Sequence, residues 1–200
     1  MWNWLISVLA SKASIVLFDG FPMYKRDDLL LKIANKENIT LFGVSAKYVD
    51  ALRKTKKKFK KVYKLEKLRT ICSTGSPLSS DCFKYVYKNI KKNVQLASIS
   101  GGTDIVSCFV LGNLYQSVYS GEIQNKGLGM DVRVFNEKGQ SVVNKKGELV
   151  CVNPFPSMPL KFWNDKNDFK FIKAYFNKYK NIWHHGDYAE KNDNGGFIIS

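Results

Sequence analysis

Apolar residues alternate between two rhythms over the first hundred positions. Spacings of three and four predict a helix near Trp2 to Ala10, another from about Asp27 to Asn35, and a third from Ser45 to about Lys57. Between them, short apolar runs at Ile15 to Phe18, Ile39 to Phe42, Leu68 to Cys72 and Val94 to Ser98 read as strands. Cys82, Phe83, Val86, Tyr87 and Ile90 add one more helical stripe, with Ser79 placed to cap it. Strands separated by helices are what a parallel sheet with crossover helices requires, so the class is α/β.

From about Gly112 the rhythm shortens. Val118 to Gln124, Met130 to Phe135 and Gly147 to Val152 are candidate strands, with Glu137-Lys138-Gly139-Gln140 as a hairpin turn. A helix near Asp168 to Phe176 interrupts them, and a last hairpin turns at Asn192 to Gly196. The expected division is therefore an α/β sheet region over 1–112 and a β-rich region over 113–200, a small barrel or sheet. Met1 to Ala10 is apolar, yet it lacks a basic leader and is too short to span a bilayer, so neither export nor a membrane span is expected.

Composition adds less than it first suggests. With 44% hydrophobic and 14% aromatic residues, 200 positions can bury a core, which excludes a disordered chain. The net charge of +15 suggests a polyanion partner until it is located. Residues 51–69 hold ten Lys or Arg against one Glu, +9 of that total, concentrated at Lys54, Lys56, Lys57, Lys58, Lys60 and Lys61. A solvated linker is the default for such a run. No stacking or base-reading motif accompanies it, so nucleic acid is not an expected partner. Cys72, Cys82, Cys108 and Cys151 show no metal spacing and read as buried thiols, which favours the cytosol. His184 and His185 would point to opposite faces of a strand, so no structural zinc is expected.

Three segments carry candidate chemistry. Ser98-Ile99-Ser100-Gly101-Gly102-Thr103-Asp104 follows an apolar run; its glycines let backbone approach a ligand, Thr103 can donate to a phosphate oxygen, and Asp104 can hold Mg²⁺. A plain turn after a strand would read the same way. Ser73-Thr74-Gly75-Ser76-Pro77-Leu78-Ser79 links a strand to a helix, without a Walker lysine. In Trp183-His184-His185-Gly186-Asp187-Tyr188, a carboxylate follows a glycine at the start of a strand.

Together with Trp2-Asn3-Trp4, Gly147-Glu148-Leu149-Val150 and Phe162-Trp163-Asn164-Asp165, these segments resemble, in order and spacing, the adenylate-forming acyl-CoA synthetase superfamily, and within it the branch that activates acetoacetate. The resemblance covers nearly the whole chain. It implies part of a multilayer αβ sheet domain followed by a small distorted β-barrel, and ATP-dependent ligation of a short acid to CoA through an acyl adenylate, with ATP, Mg²⁺ and CoA taking part. It places Gly75, Ser76 and Pro77 against adenine and ribose, and runs Ser98, Ile99, Ser100, Gly101, Gly102 and Thr103 along adenine to the phosphates. Asp104 becomes the metal carboxylate and Asp187 the acceptor of the ribose hydroxyls. The superfamily usually reads Tyr-Gly-x-Thr-Glu where this chain reads Ser100-Gly101-Gly102-Thr103-Asp104, which removes an aromatic partner for adenine and shortens the carboxylate by one methylene. Gly101, with Asn3 as a neighbour, would open an acyl pocket to a keto acid such as acetoacetate. Both ends read as cut, with the phosphate loop upstream and the mobile C-terminal domain downstream. No catalytic residue is expected within these 200 positions, and the chain alone is expected to be inactive. Oligomeric state is not legible.

Overall fold

The computed structural model describes residues 7–200. Its first body is a parallel sheet in the order β1 (Leu41–Ser45), β2 (Thr70–Thr74), β3 (Gln95–Ser98). The register pairs Gly43 with Cys72 and Ser73 with Ser98, so the C-terminal ends of β2 and β3 lie side by side. Helices Leu29–Lys36, Ala46–Lys54 and Ser80–Tyr85 accompany the sheet. The second is capped by Ser45, whose hydroxyl accepts from Tyr48 N at 3.1 Å, and the third by Ser79, which accepts from Cys82 N at 3.4 Å. The third continues as a π turn, Val86–Ile90. Leu31, Leu52, Leu68, Phe83, Val86 and Leu96, each no more than 2% exposed, form the core of this body.

The second body is antiparallel. One sheet runs β4 (Ser100–Gly102), β5 (Ser107–Leu111), β6 (Asn125–Lys126); another runs β10 (Phe197–Ile199), β9 (Trp183–Lys191), β8 (Lys146–Cys151), β7 (Val132–Phe135). A bridge between Ile123 and Phe197 joins them into one curled surface. Its hollow is filled mainly by rings. Trp183 stacks on Tyr175 at 3.7 Å and 14°, and Phe109, Phe155, Phe171 and Phe176 approach its ring at 5.4–6.2 Å. The helix Phe169–Tyr175 supplies two of these rings, Phe171 and Tyr175, with Phe176 just beyond its end, and Asp165 caps it by accepting from Lys170 N and Phe171 N at 3.0 and 2.8 Å.

The chain passes from one core to the other between Leu96 and Ile105, so β4 and β5 belong with the second core. The seam is polar. Gln124, 6% exposed, accepts from Gln95 Nε2 and Asn113 N at 3.1 and 3.0 Å and donates to the carbonyls of Asn113 and Gln116 at 2.8 and 2.7 Å.

Two expected strands differ. Ile15 to Phe18 forms no strand, and Val16, Leu17 and Phe18 are 46%, 72% and 41% exposed, because no partner strand lies beside it among the described residues. Val118 to Gln124 is irregular apart from the Ile123 bridge, its backbone wrapped around the buried Gln124 amide. The helix expected over Trp2 to Ala10 is present from Ser7 to Ala10, and its earlier part lies outside the described residues. The lysine run is an ordered excursion pinned by Phe59, Tyr63 and Leu65, with Lys54 paired to Asp50 and Lys57 to Asp27 at 2.7 and 2.6 Å.

Candidate functional site

The site begins where β2 and β3 end. Gly75, Ser76 and Pro77 leave β2 as an exposed loop, and Gly75 sits at φ +85 with open space around it, a conformation that glycine adopts without strain. Next to it Ser98, 5% exposed, closes β3, and Ile99 N donates to Ser73 O at 2.9 Å. Ser98 is thus buried in the sheet, whereas Ile99, Ser100, Gly101 and Gly102 are half-buried and Thr103 and Asp104 exposed on the turn into β5.

Asp187 reaches this strand end from far along the chain because β9 bulges. Glu148 lies opposite Tyr188 and Val150 opposite His184, so His185, Gly186 and Asp187 face the single residue Leu149. Gly186, at φ +90, makes that detour. The bulge brings Asp187 to Ser100, whose hydroxyl donates to Asp187 Oδ2 at 3.3 Å across 87 positions of sequence. His185 lies beneath, edge-on to Phe109 at 4.8 Å and 3.8 Å from Asp187. Burial pulls its imidazole below the ordinary range against the opposing pull of Asp187, so it is neutral at neutral pH and makes no ion pair there. Gly102 leaves room for this ring, since a Cβ built there would stand 2.9 Å from His185 Cε1.

Three parts of the expectation change or lie elsewhere. A Cβ on Gly101 would fall 2.4 Å from Ser107 O and 2.6 Å from Cys108 Cα, into the backbone of β5. Glycine at 101 therefore serves the close pass of β4 and β5, where the register also shifts. Asn3 lies outside the described residues. Two surface depressions, of about 560 and 430 Å³, lie elsewhere, one between Met23, Arg26, Asp28 and Lys57 and the other between Phe135, Glu148, Lys178 and Tyr188, and none of the described expected site residues lines either.

Sequence reasoning missed the carboxylate partners. Tyr175 donates its hydroxyl to Asp104 Oδ2. Burial, reinforced by Asp104, pushes the phenol above its ordinary range, so it remains a donor. On the other face of β9, Glu148 bridges Lys178 and His184, the latter at 2.9 Å. These pairings join residues at least 30 apart and leave no local signal. Mg²⁺ keeps most of its water and accepts one carboxylate beside phosphate oxygens, which the exposed Asp104 can provide. Among the described residues no group of three or more His, Cys, Asp or Glu could cage a metal, so a cation here would share ligands with a nucleotide. The arrangement suits a bound nucleotide: exposed glycine backbone at one strand end, an acceptor carboxylate held by Ser100, and a second carboxylate at the turn.

A model of the AMP-binding enzyme family matches residues 1–158, and the chain belongs to that family. The acetoacetyl-coenzyme A synthetase of Rhizobium meliloti (strain 1021) is 52% identical over 199 residues, which are 100% of this chain and 31% of that protein. The Gallus gallus acetoacetyl-CoA synthetase is 47% identical over 199 residues, 100% of this chain and 30% of its own length. Among solved structures, acetoacetyl-CoA synthetase from Streptomyces lividans matches with a TM-score of 0.91 at 37% identity, over 99% of this chain and 31% of that one. An anthranilate CoA ligase in complex with anthranoyl-AMP shares the fold, with a TM-score of 0.76 at 17% identity over 94% of this chain and 34% of its own. The chain thus spans about a third of the length of the curated relatives it matches.

Proposed function

We propose that these residues form the adenosine-binding part of an ATP-dependent ligase that joins acetoacetate to CoA. In the first step the acid's carboxylate attacks the α-phosphorus of ATP, forming the acyl adenylate and releasing pyrophosphate; in the second the CoA thiol displaces AMP, giving acetoacetyl-CoA. Gly75, Ser76 and Pro77 present a backbone wall to adenine and ribose. The stretch Ile99 to Gly102 runs along the base, with the buried Ser98 fixing its start in the sheet, and Thr103 donates to a phosphate oxygen. Asp187 accepts the two ribose hydroxyls with the oxygen capacity that Ser100 leaves free. Asp104 would hold Mg²⁺, which when bound offsets charge on the triphosphate. No side chain is needed as base in the first step, because the acid is already ionised at neutral pH.

Acetoacetate as the acid is supported by likeness to acetoacetyl-CoA synthetases and not by the surroundings of Gly101. A cytosolic setting belongs to the same reading and is supported by four cysteines outside any disulfide. No helix among the described residues is long and apolar enough to cross a membrane.

The Ser100–Asp187 hydrogen bond carries the proposal, because it brings two separately recognised segments to one strand end. Calorimetric titration of AMP into the chain tests it. Binding is expected, and Asp187→Asn is expected to weaken it by about tenfold or more, since ribose loses a charged acceptor. Equal affinity in both proteins would remove Asp187 from the site.

A further inference from the structure

Asp104 stands on a turn that little else restrains. Thr103 and Val106 are exposed, Val106 is at φ +49, and Ile105, fully buried, is the anchor. A carboxylate on a one-carbon arm at such a turn can adopt several directions, and each costs ordering when a cation is bound.

Tyr175 is built the opposite way. Its ring is stacked on Trp183, which is 2% exposed, and Phe162 and Phe171 meet it edge-on, each at 5.9 Å. The helix carrying it is capped by Asp165 and faces β9, the strand that also bears Asp187. The phenol oxygen is therefore a fixed point. It donates to Asp104 Oδ2, and Oδ1 has no hydrogen-bond partner among the described residues.

We infer that Tyr175 is a positioning residue: its hydroxyl fixes the Asp104 carboxylate on one oxygen so that the other is presented to the divalent cation accompanying a nucleoside triphosphate. The inference rests on the nucleotide reading above. A rigid donor on one oxygen removes the rotamer freedom of Asp104 before the cation arrives, and charge complementarity is left to the other oxygen. Tyr175 touches neither cation nor nucleotide, so it acts through Asp104 alone.

Tyr175→Phe keeps the ring on Trp183 and removes only the hydroxyl. Calorimetric titrations of ATP and AMP, with excess Mg²⁺ and with chelator, read the effect without turnover. The Mg²⁺-dependent gain in ATP affinity is expected to fall about fivefold, while AMP affinity in chelator stays within about twofold of wild type. In Asp104→Asn the Mg²⁺ gain is expected to vanish, and adding Tyr175→Phe should change nothing further. Unchanged fluorescence of the buried Trp183 would show that the ring cluster is intact. An undiminished Mg²⁺ gain in Tyr175→Phe overturns the inference, as does a further loss in the double variant. If the wild-type chain binds neither nucleotide, the nucleotide reading fails and takes the inference with it; if it binds both and Tyr175→Phe behaves identically, only the inference fails.

Discussion

The two bodies of this chain contribute to the proposed nucleotide site in different ways. The parallel sheet offers backbone: Gly75 to Pro77 and Ile99 emerge from neighbouring strand ends whose register places them together, and from Ile99 the chain runs on into β4. The antiparallel body offers side chains, Asp104 and Asp187, which hang from a turn and a bulge and are aimed by contacts 71 and 87 positions away. Backbone placement follows from local order, a strand, a loop and a capped helix. Side-chain placement requires the whole curled sheet and its ring cluster to be in register. The two halves of the site should therefore fail separately.

Trp183→Ala should produce the largest effect. The ring is 2% exposed and stacked on Tyr175, so its removal leaves a cavity at the centre of the second core and is expected to cost about 3–5 kcal/mol. Hydrogen exchange should show amide protection falling across β7 to β9 while β1 to β3 retain theirs. Uniform loss in both bodies would show that the polar seam at Gln124 couples them into one unit and would break the comparison.

A smaller effect is expected at the junction. Gly101→Ala drives a methyl group against Ser107 O and Cys108 Cα, neither of which can yield without moving β5, and should cost about 1–3 kcal/mol. Chemical denaturation measures it. A neutral substitution would mean that β4 and β5 do not pass so closely.

Legibility in the sequence divides along the same line. The strands and helices of the parallel body are legible to within a few residues, because apolar spacing and the caps Ser45 and Ser79 are local signals. Ser107 to Leu111 falls within the expected first region, 1–112, yet β5 pairs with β4 and β6 and packs Phe109 and Val110 into the second core. Ile15 to Phe18 shows the converse, since an apolar run specifies a strand only when another strand can accept its hydrogen bonds. Asp187 is legible as a motif residue. Its approach to Ser100 is not, because that depends on how many residues of β9 stand opposite Leu149. Tyr175 is illegible for the same reason: only folding shows which carboxylate its hydroxyl meets.

The smallest expected effect concerns acid. In the parallel body Asp28 is held by the Arg26 guanidinium, which accounts for most of its shift, with burial opposing and Tyr63 assisting, and its carboxyl falls from 3.8 to about 2. In the antiparallel body burial raises the Glu148 carboxyl, but the hydrogen bonds from Lys178 and His184 outweigh it and leave it below its ordinary value. Both groups bind a proton more weakly folded than unfolded. Each therefore contributes stability that is complete above the ordinary carboxylate range and is lost as pH falls through the folded value, which for Asp28 places the loss between 3.8 and about 2. Because Arg26 is 40% exposed, solvent screens the pair and keeps the contribution small. Asp28→Asn should flatten the acid limb of stability in that window, read by helical ellipticity, which reports mainly the parallel body. Glu148→Gln should flatten it as read by Trp183 fluorescence. If either substitution altered both signals equally, the acid response would belong to the chain as a whole, and the independence of the two bodies would be lost at its most sensitive test.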